Sequence, residues 1–128
     1  MAKGGCLCGA VTYEVSGDLR PVIACHCGQC RKTSGHYWAA TQAPTKEVQI
    51  SNLEGKLTWY KSSDWARRGF CAACGSSLFW EMKEEGAMSI AAGSLDAPTG
   101  LSITSHIFVA DKGDYYQIED GPEQIARF

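Results

Sequence analysis

Seven cysteines fall into three groups whose spacings suit metal ligation. Cys6-Leu7-Cys8 is a C-x-C, Cys25-His26-Cys27-Gly28-Gln29-Cys30 is a C-x-C-x-x-C, and Cys71-Ala72-Ala73-Cys74 is a C-x-x-C followed by Gly75. Alternate residues of an extended segment point to the same side, so a C-x-C offers two sulfurs to one ion. A C-x-x-C turn curls two thiolates around a metal and aims backbone N–H groups at the sulfurs, and a following glycine lets the chain turn sharply. Tetrahedral zinc takes four such ligands at about 2.3 Å. Cys6, Cys8, Cys71 and Cys74 make one complete four-sulfur site. Cys25, Cys27 and Cys30 supply three ligands from one tight loop and leave a fourth position open, which is the pattern of a reactive zinc.

Other readings of these residues compete. Free cysteines are often buried as small hydrophobes, but seven of them clustered at metal spacings speak against that. A redox role for Cys71 and Cys74 lacks the βαβ surroundings such a motif needs. His26, His36 or a carboxylate would make the second site closed and structural. His26 is the nearest candidate, yet the middle side chain of an extended C-x-C faces away from the metal.

The open triplet suits a thiol substrate. Three thiolates leave a zinc centre with a formal negative charge, which weakens it as an activator of water. Metal coordination still deprotonates an incoming thiol, whereas a free thiol with a pKa of about 8.5 is mostly protonated at neutral pH. A thiolate attacking a carbonyl carbon forms a hemithioacetal, and the reverse cleaves the C–S bond. Cations near the metal would help hold the carboxylates of an acidic thiol substrate. Arg31 and Lys32 follow the triplet directly, Thr33, Ser34 and Gly35 offer hydroxyl and N–H donors, and Arg67-Arg68 precede Cys71. His26 and His36 are candidates to move protons. His106 sits in an apolar run and reads as a hydrogen-bonded core residue.

The elements that must position these residues are short. Val11, Tyr13 and Val15 alternate with polar neighbours, as do Leu57 and Trp59, and Ser77–Met82 shows the same period. Ile103, Ser105, Ile107 and Val109 share one face of another run. Period two with β-branched and aromatic residues predicts strands, about eight to ten of them. One helical turn is expected over Gly28–Thr33, with Gly35 ending it. The expectation is all-β: several short, twisted antiparallel strands in a single domain over 1–128, held by metal crosslinks. Trp38, Trp59, Trp65 and Trp80 read as core or rim aromatics.

Composition bounds the partners. Hydrophobic residues make up 45% of the 128, enough for a core, and the formal net charge of -2 lacks the basic excess of a nucleic-acid surface. No apolar run reaches the roughly 18 residues of a membrane span. The opening residues lack the apolar stretch of a secretory signal, so a cytoplasmic location is expected. Thiols stay reduced there, in keeping with metal ligation by the cysteines.

Together these segments resemble the glutathione-dependent formaldehyde-activating enzyme family. The matching text is Gly4–Tyr13, Cys25–Gly35, Gly69–Gly75, Ala92–Asp96 and His106–Val109, in order along nearly the whole chain. The resemblance implies a zinc-pinned, tent-like β fold. It implies a structural zinc on Cys6, Cys8, Cys71 and Cys74, and a catalytic zinc on Cys25, Cys27 and Cys30. The implied reaction joins glutathione to formaldehyde as S-hydroxymethylglutathione, the reverse of a carbon–sulfur lyase. Tyr115-Tyr116, beyond the matched text, stands where relatives frequently have a tryptophan. Two other functions fit the same cysteines: a non-catalytic zinc module that binds a protein or small thiol, and a metal or redox sensor.

The ligand count sets a stoichiometry. Protein purified without chelator is expected to hold up to two zinc ions per chain, the tighter in the four-sulfur site. Elemental analysis with thiol counting checks this; seven free thiols without metal, or three disulfides, would refute it.

Overall fold

A computed structural model describes residues 1–128. In chain order the elements are β1 (Ala2–Gly5), β2 (Thr12–Val15), β3 (Val22–Cys25), α1 (Gly28–Ser34), β4 (Trp38–Pro44), β5 (Val48–Ser51), β6 (Leu57–Lys61), β7 (Ala66–Cys71), β8 (Ser77–Met82), β9 (Ala87–Ala91), β10 (Ile103–Ile107) and β11 (Glu123–Gln124). The architecture is all-β, with α1 where a helical turn was expected. Gly35 closes that helix at φ 88°, its N–H returning to the Arg31 carbonyl at 2.9 Å. Eleven strands exceed the eight to ten expected. The surplus includes β11, two residues long, and the glycine-rich β1, neither of which carries an alternating pattern.

Chain contacts divide the protein into two compact units. The first holds residues 1–20 and 41–100. Within it β1 pairs antiparallel with β2, and β2 with β5. A second run, β6 to β9, is an antiparallel meander. The core of this unit is Cys6, Val11, Tyr13, Val15, Ala43, Cys71, Leu78, Phe79, Met88 and Ile90. The alternation read in 11–15 is the reason: Val11, Tyr13 and Val15 all point inward. Tyr13 meets Phe79 edge-on at 5.4 Å between centroids, and its hydroxyl reaches Ser94 Oγ at 2.6 Å, so the buried phenol keeps a partner. Each such side chain contributes about 1.5–3 kcal/mol on burial. Two cysteines of the four-sulfur set, Cys6 and Cys71, belong to this same core.

The second unit holds residues 21–40 and 101–128. Here β3 pairs antiparallel with the first residues of β4. The expected antiparallel pairing has one departure: β10 runs parallel to both β3 and β11. Alternation reports which face is buried but not the direction of a strand's neighbours. β10 also stops earlier than the sequence pattern predicts. Phe108 adopts φ 55°, and Val109–Asp111 form a 3-10 turn, so Val109 does not extend the strand face.

β1 lies flush against the rest of its unit because Gly4 has no side chain. A Cβ there would collide with the Ser94 carbonyl oxygen and with the Tyr13 hydroxyl. Gly4→Ala is therefore expected to cost about 1–3 kcal/mol, seen as a fall of roughly 3–10 °C in thermal midpoint; an unchanged midpoint would contradict this packing.

Candidate metal centres and their surroundings

The seven cysteines form no disulfide and gather into two groups. In the first unit the sulfurs of Cys6, Cys8, Cys71 and Cys74 all lie within 4.8 Å of one another. Cys6 to Cys8 is 3.6 Å and Cys8 to Cys71 is 3.8 Å. Tetrahedral bonds of about 2.3 Å place sulfurs about 3.8 Å apart, so the donor set fits a zinc-sized ion. Local backbone makes this possible. Cys6 follows β1, and Cys71 ends β7. Gly75, at φ 81°, turns the chain back so that its N–H meets the Cys71 carbonyl at 2.7 Å. An L side chain at that φ would be strained.

Donors aimed at Cys6 and Cys74 favour the ionised forms of those two sulfurs. Val11 N–H points at Cys6 Sγ at 3.3 Å. Ser76 Oγ lies 3.2 Å from Cys74 Sγ and also accepts from Leu7 N–H at 3.0 Å, tying the two loops together. The Ser76 hydroxyl, with the N–H groups of Cys8 and Ser76, lowers the Cys74 thiol to about 5. Cys6 and Cys71 are buried, Cys74 is half-buried and Cys8 is exposed.

In the second unit Cys25, Cys27 and Cys30 gather in the same way. Cys25 ends β3. Cys27 caps α1, its sulfur accepting the Cys30 N–H at 3.2 Å. Cys30 lies in the first turn of that helix and is 4% exposed. The sulfurs of Cys27 and Cys30, and then burial, push the Cys25 thiol up. Three thiols at such separation resist ionising together unless a cation joins them, so this donor set also fits a soft divalent metal.

The histidines lie together in this unit, and none of their nitrogens falls within the three-sulfur group. His26 is 1% exposed, with Nε2 2.8 Å from His106 Nδ1 and Nδ1 on the Tyr116 hydroxyl. His106 is the hydrogen-bonded core residue that its apolar run predicts. His36 Nδ1 meets the Tyr115 hydroxyl at 2.8 Å. Burial first, then the neighbouring His106, His36 and Lys112, hold the His26 pKa down at about 4. Burial raises the Tyr116 phenol. Lys112 Nζ donates to the carbonyls of Tyr116 at 2.6 Å and Gly113 at 3.0 Å and lies 5.0 Å from the Tyr116 ring centre. Sequence reasoning passed over Lys112 and gave Tyr115 and Tyr116 no role. His26 stands 80 residues from His106 and 90 from Tyr116, and no local spacing signals such pairing.

The expected substrate contacts divide. Arg31 is half-buried, its Nε enclosed without a hydrogen-bond partner, and the side chain folds toward Gly28. Lys32, Thr33, Ser34 and Gly35 are exposed. Thr33 and Ser34 hydroxyls donate to the Cys30 carbonyl at 3.2 and 2.7 Å, finishing the helix. Arg67 pairs with Glu81 at 2.7 Å and stacks over Trp59 at 3.8 Å, which makes it a structural cation of the first unit.

The chain is all-β and carries two cysteine groups that could each hold a metal ion, one of four sulfurs and the other of three. The sequence profile of the glutathione-dependent formaldehyde-activating enzymes matches residues 1–111, and the chain belongs to that family. An uncharacterized lyase of Schizosaccharomyces pombe is 32% identical over 81 residues, covering 61% of this chain and 56% of the relative. The chain thus spans little more than half the length of that curated relative. A crystal structure of a Rhodobacter sphaeroides protein matches with a TM-score of 0.62 at 26% identity, over 74% of this chain and 88% of the other. No helix is long and apolar enough to cross a membrane.

The two cysteine groups are expected to differ in what a substitution disturbs. Structural zinc contributes about 10 kcal/mol or more to small domains, against a total stability of about 5–15 kcal/mol. Cys71→Ser, in the core of the first unit, is expected to abolish cooperative folding. Cys27→Ser should keep the fold, because serine is itself a good helix N-cap. Thermal melts with metal analysis check the pair, and equal destabilisation by both would refute the division.

Proposed function

We propose that this protein is a zinc-dependent carbon–sulfur lyase or synthase acting on a thiol adduct, with glutathione and formaldehyde as the leading substrate pair. The observation that carries this reading is the three-sulfur group of Cys25, Cys27 and Cys30, followed directly by Arg31, whose enclosed Nε has no hydrogen-bond partner. Family membership and a relative named as a lyase support the reaction class. Cys6, Cys8, Cys71 and Cys74 are assigned the structural zinc, and the triplet the catalytic one. Cys25, Cys27 and Cys30 would hold a zinc with an exchangeable fourth position, where the ion would favour the deprotonated form of a thiol near neutral pH.

The chain's own residues do the rest. Arg31 follows Cys30 directly and lies close enough to Tyr116 to draw its pKa down against burial. A substrate carboxylate would complete its guanidinium by a two-point bond, which fixes orientation as well as charge. Cys27 accepts the Cys30 N–H on its sulfur, which fixes the direction of that ligand. Thr33 and Ser34 hold the last turn of α1 and so the helix that presents Cys30 and Arg31. Glutathione meets these demands with one thiol and two carboxylates. The same chemistry is available in other acidic thiols of similar size.

Cobalt substitution tests the thiol. Glutathione is expected to strengthen the sulfur-to-cobalt bands of the triplet, and the change should vanish in Cys30→Ser and with a glutathione analogue lacking sulfur. Arg31→Ala should weaken glutathione binding about tenfold. Turnover is read as rate above the uncatalysed combination of thiol and formaldehyde. Spectra that stay constant across millimolar glutathione would overturn the thiol mechanism.

A further inference from the structure

His26 is the residue between two sulfurs of the triplet, and it is held from three sides. Its N–H donates to the Ile107 carbonyl at 3.0 Å. Its Nε2 meets His106 Nδ1 at 2.8 Å, and its Nδ1 meets the Tyr116 hydroxyl. Tyr37 covers the ring at 4.9 Å between centroids. A neutral imidazole carries one donor and one acceptor nitrogen, and both His106 and a phenol can play either part, so the bonds are satisfied whichever way the protons run. An apolar side chain would fill the same volume without fixing its own rotation. A ring bonded at both nitrogens inside a packed site keeps one rotamer.

The consequence falls on the neighbours. Cys25 and Cys27 each lie one residue from His26, and the directions of their sulfurs follow from the backbone that His26 anchors. We propose that His106 and Tyr116 are positioning residues for the triplet: acting through His26, they hold Cys25 and Cys27 in ligand geometry before a metal arrives. Binding then need not order the C-x-C segment, and the affinity of the three-sulfur site depends on two residues that donate no atom to the metal. Groups that orient ligands from outside the coordination sphere typically account for 10–100-fold in metal affinity. The inference rests on the reading of Cys25, Cys27 and Cys30 as a metal site.

Cobalt titration in competition with a chelator separates the two. Wild-type protein is expected to show two thiolate-ligated cobalt sites. His106→Ala should lower affinity at the triplet by about 10–100-fold and change its d–d bands, with the four-sulfur bands unaltered. His106→Asn should recover most of the affinity, because Asn Oδ1 falls near the place of Nδ1. Tyr116→Phe, which removes only a hydroxyl from a half-buried ring, should lower affinity about three- to tenfold and decides the matter alone if His106→Ala does not fold. Triplet affinity in the folded variants within a factor of two of wild type would overturn the positioning role and leave the metal site standing. A wild-type protein with one thiolate-ligated cobalt would remove the metal reading of the triplet, and the positioning role with it.

Discussion

The approach of two loops far apart in sequence governs the first unit. Cys8 and Cys71, 63 residues apart, bring their sulfurs to 3.8 Å. That approach requires β1 to end where β7 ends, and it requires a left-handed glycine behind Cys74 to return the chain. The core follows from the same requirement, since Cys6 and Cys71 pack with Tyr13, Leu78 and Phe79. Ser76 serves both loops at once, accepting from Leu7 N–H while bonding to Cys74 Sγ. A metal there would join the meander β6–β9 to the hairpin β1–β2 by bonds stronger than any single apolar contact in the unit.

In the second unit the constraint is of another kind. The triplet draws all its sulfurs from six consecutive residues, so no distant loop must arrive for them to meet. What comes from afar is support. β10 lies parallel to β3, bringing His106 to the level of Ala24, one residue before Cys25. Tyr116 then reaches His26 from beyond the 3-10 turn at Val109–Asp111. The two groups of cysteine therefore divide their dependence: one is made by long-range closure, the other is made locally and held by long-range contacts.

This difference explains what the sequence disclosed. Cysteine spacings are short-range and chemically distinctive, so both groups could be read directly, as could α1 and its ending at Gly35. Alternation at 11–15 identified the inward faces of β2. The parallel partners of β10 left no mark, because alternation is blind to strand direction. Phe108 ends the strand by a backbone conformation unusual for a residue with a side chain, and nothing in the apolar run announced it. The His26–His106–Tyr116 chain was hidden because each residue looks ordinary where it stands. Thr33 and Ser34 looked like donors for a ligand, and their hydroxyls turn instead to the carbonyl of Cys30.

The division of the second unit into residues 21–40 and 101–128 also sets an order of assembly during synthesis. The three sulfurs of the triplet emerge early, while β10 and Tyr116 are still to be made. Once residue 100 is complete the first unit has all its parts, including both sulfur loops. Adding residues 101–116 takes roughly 1–3 s at ordinary translation speeds. Throughout that interval, and the longer one since residue 30, Cys25, Cys27 and Cys30 stand on a nascent chain without β10 and Tyr116. A newborn chain therefore presents these three thiols before the contacts that organise them.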